Sequence, residues 1–531
     1  MIYLFPAWQQ ENYNMEYDPI LKLVKIFQHM KEDAQLLLMS YMPFLRYKIE
    51  NFSLPYWSAF DTIQKIDILT GVPLMLSDLS FPEESEFLYT PKGVVILQEK
   101  KKFANVQYNE YGCIEKIYYY QTSLFKVENF DDRGFLSSVE EYQEEKLKKR
   151  SYYNEFGEHT LTEYFFPISK VVIEKFGVKG FSKEVYSSIN EVLLEALQQK
   201  LQQKKEEKQK LISVYQPYLV QILHSLVQQE KITWLIQQNQ SFFSLEENEH
   251  FNVLEKSERI LCDTKCMREK FLHWANENLL SIEEKVESIP FYDLELDLGE
   301  SNFVQEMLLY VKVNSLNAFK ERFIDLLLKK LIENESYYLL ITTDSLELEE
   351  MIQQKAIQLI DTYFDIDSTS SDFKKTLRYV ETKRMQKLLK QDEEAVEHLR
   401  KTPLWKQLVA AINVYERLEY RRVFHLYQIR ELFKKTRLYI ELDEATNFQM
   451  QLLALSVGIP QMTRNQFDFV FHKENGILYD EECDLEQEVD YYLKHLANWN
   501  QSLIRNIELL EEYDLEKISE RWQVVLNGEK N

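Results

Sequence analysis

A chain of 531 residues is long for one domain and suits two or three, and 45% apolar with 14% aromatic content supplies substantial cores. The net charge of -24, from 87 Asp and Glu against 63 Lys and Arg, argues against nucleic-acid binding, which needs a basic surface, and weakens direct adhesion to anionic lipid. Only 11 glycines occur, and none sits in a phosphate-loop, dinucleotide-fingerprint or nucleophile-elbow context, so ATPase, dehydrogenase and α/β-hydrolase chemistry are poor readings.

In chain order, Ile2 to Phe5 reads as a buried strand, and Ile20, Leu23, Val24, Phe27 and Met30 recur at helical spacing. Leu36 to Ser40 is a second apolar strand, so the opening is strand-helix-strand, the unit of a parallel sheet. Met1 to Trp8 lacks a basic flank and is followed by Glu11, which fits a first strand rather than a signal peptide. No run of eighteen apolar residues occurs, and no direct membrane insertion is expected.

From about residue 87 the pattern turns to strands alone. Tyr108-Asn109-Glu110-Tyr111-Gly112, Phe130-Asp131-Asp132-Arg133-Gly134 and Tyr153-Asn154-Glu155-Phe156-Gly157 repeat one turn signature. The Asn or Asp opens a turn and the Gly accepts a positive φ, so each copy predicts a hairpin with a bulge in an antiparallel meander. Near residue 187 helical spacing returns, with Ser188 and Glu191 as a candidate capping box. Leu211 to Tyr215 and Ile232 to Ile236 restore the strand-helix-strand rhythm around Pro217, so the meander reads as an insertion. A second α/β region begins near residue 305, with Tyr337 to Thr342 as a buried strand and residues 372 to 436 mostly helical.

Cys113, Cys262, Cys266 and Cys483 are too few and scattered for a disulfide framework, which suits a reducing compartment. Cys262 and Cys266, near His250 and His273, lack the paired spacing of structural zinc and read as buried thiols. No metal and no cofactor is expected.

Residues 437 to 478 carry the most pointed signal. A strand (Arg437 to Leu442) leads into a helix (Phe448 to Val457), then Gly458-Ile459-Pro460, and later Asn475-Gly476-Ile477-Leu478. That order resembles the donor-binding C-terminal domain of GT-B-type glycosyltransferases. Those enzymes usually carry two glutamates eight residues apart, holding sugar and ribose hydroxyls by charge-assisted hydrogen bonds. Anchored on Gly458 and Pro460, the matching positions are Ala445 and Leu453, and residues 445 to 467 contain no Asp or Glu. Glu441, Asp443 and Glu444 instead crowd the helix start, where a diphosphate would dock on free N–H groups. Read as a capped helix start, they still repel an anionic donor.

Phe5-Pro6-Ala7-Trp8, Tyr56-Trp57-Ser58-Ala59-Phe60-Asp61, Phe87-Leu88-Tyr89-Thr90-Pro91 and Phe130-Asp131-Asp132-Arg133-Gly134-Phe135-Leu136-Ser137-Ser138 are distinctive. Together they resemble the first of the three accessory secretory proteins of the accessory Sec system of Gram-positive bacteria, most strongly over residues 1 to 165. The resemblance implies an α/β, GT-B-like fold: two Rossmann-like domains with an inserted antiparallel β-sheet domain. The expected division is 1–80 with 170–300 for the first Rossmann-like domain and 81–169 for the insertion. Residues 301–495 would form the second Rossmann-like domain, and 496–531 the C-terminal helices crossing back to the first.

The resemblance further implies a non-catalytic, cytoplasmic protein, possible at the inner face of the membrane through partners. It would work with two sister accessory secretory proteins, a motor ATPase and a channel in exporting a serine-rich repeat glycoprotein adhesin. If a carbohydrate binds, the cleft between the two α/β domains is the first place to look, with Trp8 and Gln9 facing it unless Trp8 packs as core. Two other readings stay open. One is an active glycosyltransferase using Asp365-Ile366-Asp367 to hold a metal-bound diphosphate. The other is a scaffold without sugar contact.

Overall fold

The computed structural model describes residues 1–9, 18–49, 54–91, 93–109, 111–174, 180–203, 209–226, 231–237, 248–422, 426–444, 447–464 and 468–528, with the backbone alone at 248–250 and 426. The chain divides into two compact units, Met1–Tyr292 with Ser519–Asn531, and Asp293–Ile518.

In the first unit the strand Ile2–Phe5 is completely buried and runs parallel to Ala34–Leu38 on one side and Lys210–Val214 on the other. Between the first two lies the helix Pro19–His29. Asp18 caps it by accepting from the N–H groups of Ile20 and Leu21 at 2.8 and 3.2 Å, and Pro19 occupies the first turn, where its missing donor costs nothing. Among the described residues the sheet has seven parallel strands. Their order is Val286–Ser288, Arg259–Cys262, Ile232–Ile236, Lys210–Val214, Ile2–Phe5, Ala34–Leu38, Tyr56–Ser58. The winding reverses between Ile2–Phe5 and Lys210–Val214, which makes that point the topological switch of a doubly wound sheet.

Between Tyr56–Ser58 and Lys210–Val214 the chain builds an antiparallel meander of ten strands among the described residues, from Glu86–Thr90 to Val185–Tyr186. The three repeated turns are built alike. Asn109, Asp131 and Asn154 accept from the backbone two residues on, at 3.0, 2.9 and 3.1 Å. Gly112, Gly134 and Gly157 then take φ of +76, +91 and +74°. A register shift lies beside each turn, at Gln107/Tyr108, Asn129/Phe130 and Tyr152/Tyr153.

The middle turn also fastens the meander to the α/β sheet. Arg133 donates to both oxygens of Asp61 at 2.9 and 3.1 Å and to both of Asp131 at 2.8 and 2.7 Å. Arg46 reaches Asp132 at 3.2 Å, and Gln64 donates to Ser137 O and Tyr153 O at 3.0 and 2.8 Å. Tyr41, Phe60 and Tyr152 form a ring cluster at 5.3 to 5.7 Å behind these bonds. Gly134 is needed for closeness as well as φ, because a Cβ there would stand 2.3 Å from Val72 O.

The expected capping box opening the helix Ile189–Gln202 is replaced by a neighbouring contact. Ser188 makes no side-chain cap bond, while Ser187 Oγ donates to Glu191 at 2.5 Å. At the C-terminal end of the chain, Trp522 is fully buried in the first unit. It meets Phe27 edge-on at 5.3 Å and donates to Pro290 O at 2.8 Å.

The second unit has six parallel strands among its described residues. Their order is Leu418–Arg421, Tyr337–Thr342, Met307–Lys312, Thr436–Glu441, Gln461–Thr463, Gly476–Leu478. Leu418–Arg421 lies in a stretch that reads as helical from sequence. Its four residues sit at the sheet edge with Glu419 and Arg421 exposed, and they carry no apolar run to mark them.

The Arg133 clamp is testable. Its side chain is 9% exposed and that of Asp131 2%, so Arg133→Met strands a buried carboxylate, a defect that costs about 3–5 kcal/mol. The unfolding free energy from urea titration of the full chain is expected to fall by that amount, moving the midpoint to lower denaturant, and an unchanged midpoint would refute the clamp.

Candidate functional site

The donor-like half of the second unit is assembled from the strand Thr436–Glu441, every residue of which is buried, and the helix Phe448–Val457 that follows it. The helix ends at Gly458, with φ +82°, and Pro460 O accepts from Tyr439 N–H at 3.1 Å, which keeps Gln461–Thr463 in register beside the strand. The start of this helix is where free N–H groups would meet an anion.

Two N–H groups there are engaged by the chain itself. The Asn447 N–H donates to Glu441 Oε1 at 2.7 Å, and Asn447 Oδ1 accepts from Met450 N–H at 3.3 Å. Glu441 is fully buried, and burial pushes its carboxyl from the ordinary 4.5 up to about 7, against the pull of the Asn447 N–H and Lys312. Asp443 is likewise committed. It accepts from Asn314 N–H at 2.7 Å and from the Lys320 ammonium at 2.9 Å, and Lys320 also donates to Ser315 Oγ at 2.6 Å. Lys320 is 3% exposed, so the cation that a phosphate would seek is neutralised inside the protein. Glu444 extends outward and pairs with Arg464 at 3.5 Å.

Of the two positions matching the transferase glutamates, Leu453 is 6% exposed and packed as an apolar side chain. Ala445 lies outside the described residues. Among the described residues these features engage part of the donor set at this helix start and pair the buried Lys320 with Asp443.

The Asp-x-Asp tripeptide is local structure. Asp365 is the left-handed C-cap of the helix Leu346–Phe364, and Asp367 accepts from the N–H and Oγ1 of Thr369 at 2.8 and 2.6 Å. Cys262 is buried in its strand, Cys266 is half-buried, and His273 pairs with Glu277 at 3.6 Å. The His250 side chain lies outside the described residues.

Trp8 and Gln9, next to each other after the first strand, separate in the structure. Trp8 is 1% exposed, while Gln9 is exposed and lines an open pocket of about 560 Å³ within the first unit. Its other wall comes from the meander and includes Glu140, Arg150 and Glu163. Sequence reading left these three unmarked. The available signal was the placement of charged residues on strands of an otherwise aromatic sheet.

Two Rossmann-like units, one carrying an antiparallel insertion, define the GT-B-like class. The pneumococcal O-GlcNAc transferase GtfA, solved with UDP and GlcNAc, superimposes with a TM-score of 0.63 at 11% identity, covering 99% of this chain and 98% of that one. The profile of the accessory Sec system protein 1 family matches residues 4–528, and the chain belongs to that family. The accessory Sec system protein 1 of Streptococcus gordonii is 27% identical over 529 residues, 97% of this chain and 94% of that protein. A chain in the structure of accessory secretory proteins 1, 2 and 3 from Streptococcus pneumoniae superimposes with a TM-score of 0.74 at 20% identity, covering 99% and 100% of the two chains.

The raised Glu441 carboxyl has a stability consequence. Between pH 4.5 and about 7 the folded chain holds a proton there that the unfolded chain has released, so this contribution is full below 4.5 and is lost as pH rises through 7. Glu441→Gln keeps an acceptor for the Asn447 N–H and removes the titration. It is expected to flatten the decline of the unfolding midpoint across that window, and an unaltered decline would contradict the assignment.

Proposed function

We propose that the chain is a non-catalytic, glycosyltransferase-like component of the accessory Sec system, required for export of a glycosylated serine-rich repeat adhesin. The observation that carries this reading is the partly self-occupied helix start without its carboxylate pair. Glu441 accepts from the Asn447 N–H, Asn447 accepts from the Met450 N–H, Asp443 neutralises Lys320, and the matching glutamate positions hold Ala445 and Leu453. A transferase needs groups that meet charge developing on the leaving diphosphate. Here the buried Lys320 ammonium is already paired with Asp443.

The relatives support the assembly. The pneumococcal accessory secretory proteins 1, 2 and 3 form one structure, which supports work with two sister proteins; a motor ATPase and a channel complete the proposed pathway. It acts in the cytoplasm and reaches the inner face of the membrane through those partners. Among the described residues no helix is long and apolar enough to cross a membrane.

Deletion of the gene in a host that makes such an adhesin is expected to abolish its surface display and leave the adhesin inside the cell. Normal display without the protein would overturn the proposal.

A further inference from the structure

The pocket in the first unit lies outside the donor-like half and has its own chemistry. Its floor is the switch point of the seven-stranded sheet. Gln9 follows Ile2–Phe5, Ser40 follows Ala34–Leu38, and Tyr218 stands in the first turn of the helix after Lys210–Val214. In open α/β sheets, ligands bind in the crevice outside the carboxyl ends of the strands at this point. The inserted meander lies across the crevice and supplies the facing wall, held there by Arg133 together with the Arg46 and Gln64 contacts. Its volume of about 560 Å³ falls within the range of small-molecule sites.

The wall is organised in advance. Arg150 donates through Nε and Nη2 to Glu140 Oε1 at 3.0 and 2.7 Å and through Nη1 to Tyr152 OH at 3.4 Å. Tyr152 OH donates to Glu163 Oε2 at 3.2 Å. On the floor, Ser40 Oγ donates to Tyr218 OH at 3.4 Å, and Tyr218 donates to Pro6 O at 3.1 Å. These bonds fix the planar groups and leave further acceptor and donor capacity on the carboxylates and hydroxyls.

The charge balance chooses among ligands. The lining carries two acids, Glu140 and Glu163, and two cations, Arg150 and Lys116. A phosphate, which accepts only, would meet as much repulsion as attraction. A sugar hydroxyl both donates and accepts, so neighbouring hydroxyls suit a rim that alternates carboxylate, guanidinium, amide and hydroxyl. Phe165, 38% exposed overall and lining the pocket with the Arg150 guanidinium 5.9 Å from its ring centre, adds an aromatic ring for the apolar face of a pyranose.

We propose that this crevice, between the switch point of the first sheet and the inner face of the meander, is a binding site for a neutral saccharide. The choice of a cargo glycan as the natural ligand rests on the export reading above, whereas the pocket and its chemistry do not. The site holds one sugar unit of the adhesin by its hydroxyls while Phe165 stacks on the ring.

The test uses the full-length protein, with N-acetylglucosamine and glucose as probes and UDP and inorganic phosphate as controls, read by saturation-transfer NMR and calorimetry. At least one sugar is expected to bind, with neither control competing. Phe165→Ala removes a stacking contact worth about 0.5–1.5 kcal/mol and is expected to weaken binding by up to about tenfold. Phe165→Tyr should retain it, and Gln9→Ala should weaken it to a lesser extent. Both positions are exposed, so unchanged thermal unfolding of the variants is the control for folding. Absence of sugar binding, binding indifferent to Phe165→Ala, or displacement by phosphate would each overturn the site. Loss of export on deletion without sugar binding would remove the pocket and leave the export function standing. Sugar binding that falls with Phe165→Ala, in a protein whose deletion leaves export normal, would keep the pocket and remove the function.

Discussion

Arg133 is the side chain on which the first unit depends. It sits in the second of three near-identical hairpin turns and reaches outward, to Asp61 on the α/β side, while bracing Asp131 within its own turn. A guanidinium can do this because its planar fork serves two carboxylates at once, which a lysine cannot match. The ion pairs are half-buried or better, so they are weakly screened by salt and strongly directional. With the meander fixed by this clamp, the switch-point crevice acquires a second wall. An open edge of a Rossmann-like sheet becomes a lined pocket.

The second unit keeps the transferase frame by a different route. The arrangement of strand, helix, Gly458 turn and strand persists because each piece is held by packing: a fully buried strand, a left-handed glycine cap, and Asn447 closing the helix start. The anion-binding character of that helix start has been turned inward. Glu441 fills the place of an external acceptor, and Asp443 with Lys320 forms a buried pair that stabilises the fold only while both partners remain.

What could be read from sequence divides by range. The three hairpin turns were legible because Asn or Asp and Gly act within four residues, and their chemistry is the same wherever they fall. The parallel strands were legible as apolar runs. The edge strand Leu418–Arg421 was not, since its alternation places charges outward on a four-residue element. The pairing of Lys320 with Asp443 spans 123 residues and leaves no local mark. Ser187 and Ser188 differ by one position, below what capping preferences resolve. Trp8 follows the first strand with its large apolar ring buried, while Gln9 faces outward. The pocket brings together strands and helices from residue 9 to residue 222, and only the fold reveals it.

The central claim is that a glycosyltransferase frame serves cargo handling without forming a glycosidic bond. Its most direct test is the intact mass of the adhesin retained in the cytoplasm of a deletion strain, measured against adhesin from the parent. A retained adhesin with the full glycan mass of the parent's is the predicted result. A retained adhesin lacking defined sugar units would contradict the account, because it would make this chain a transferase after all.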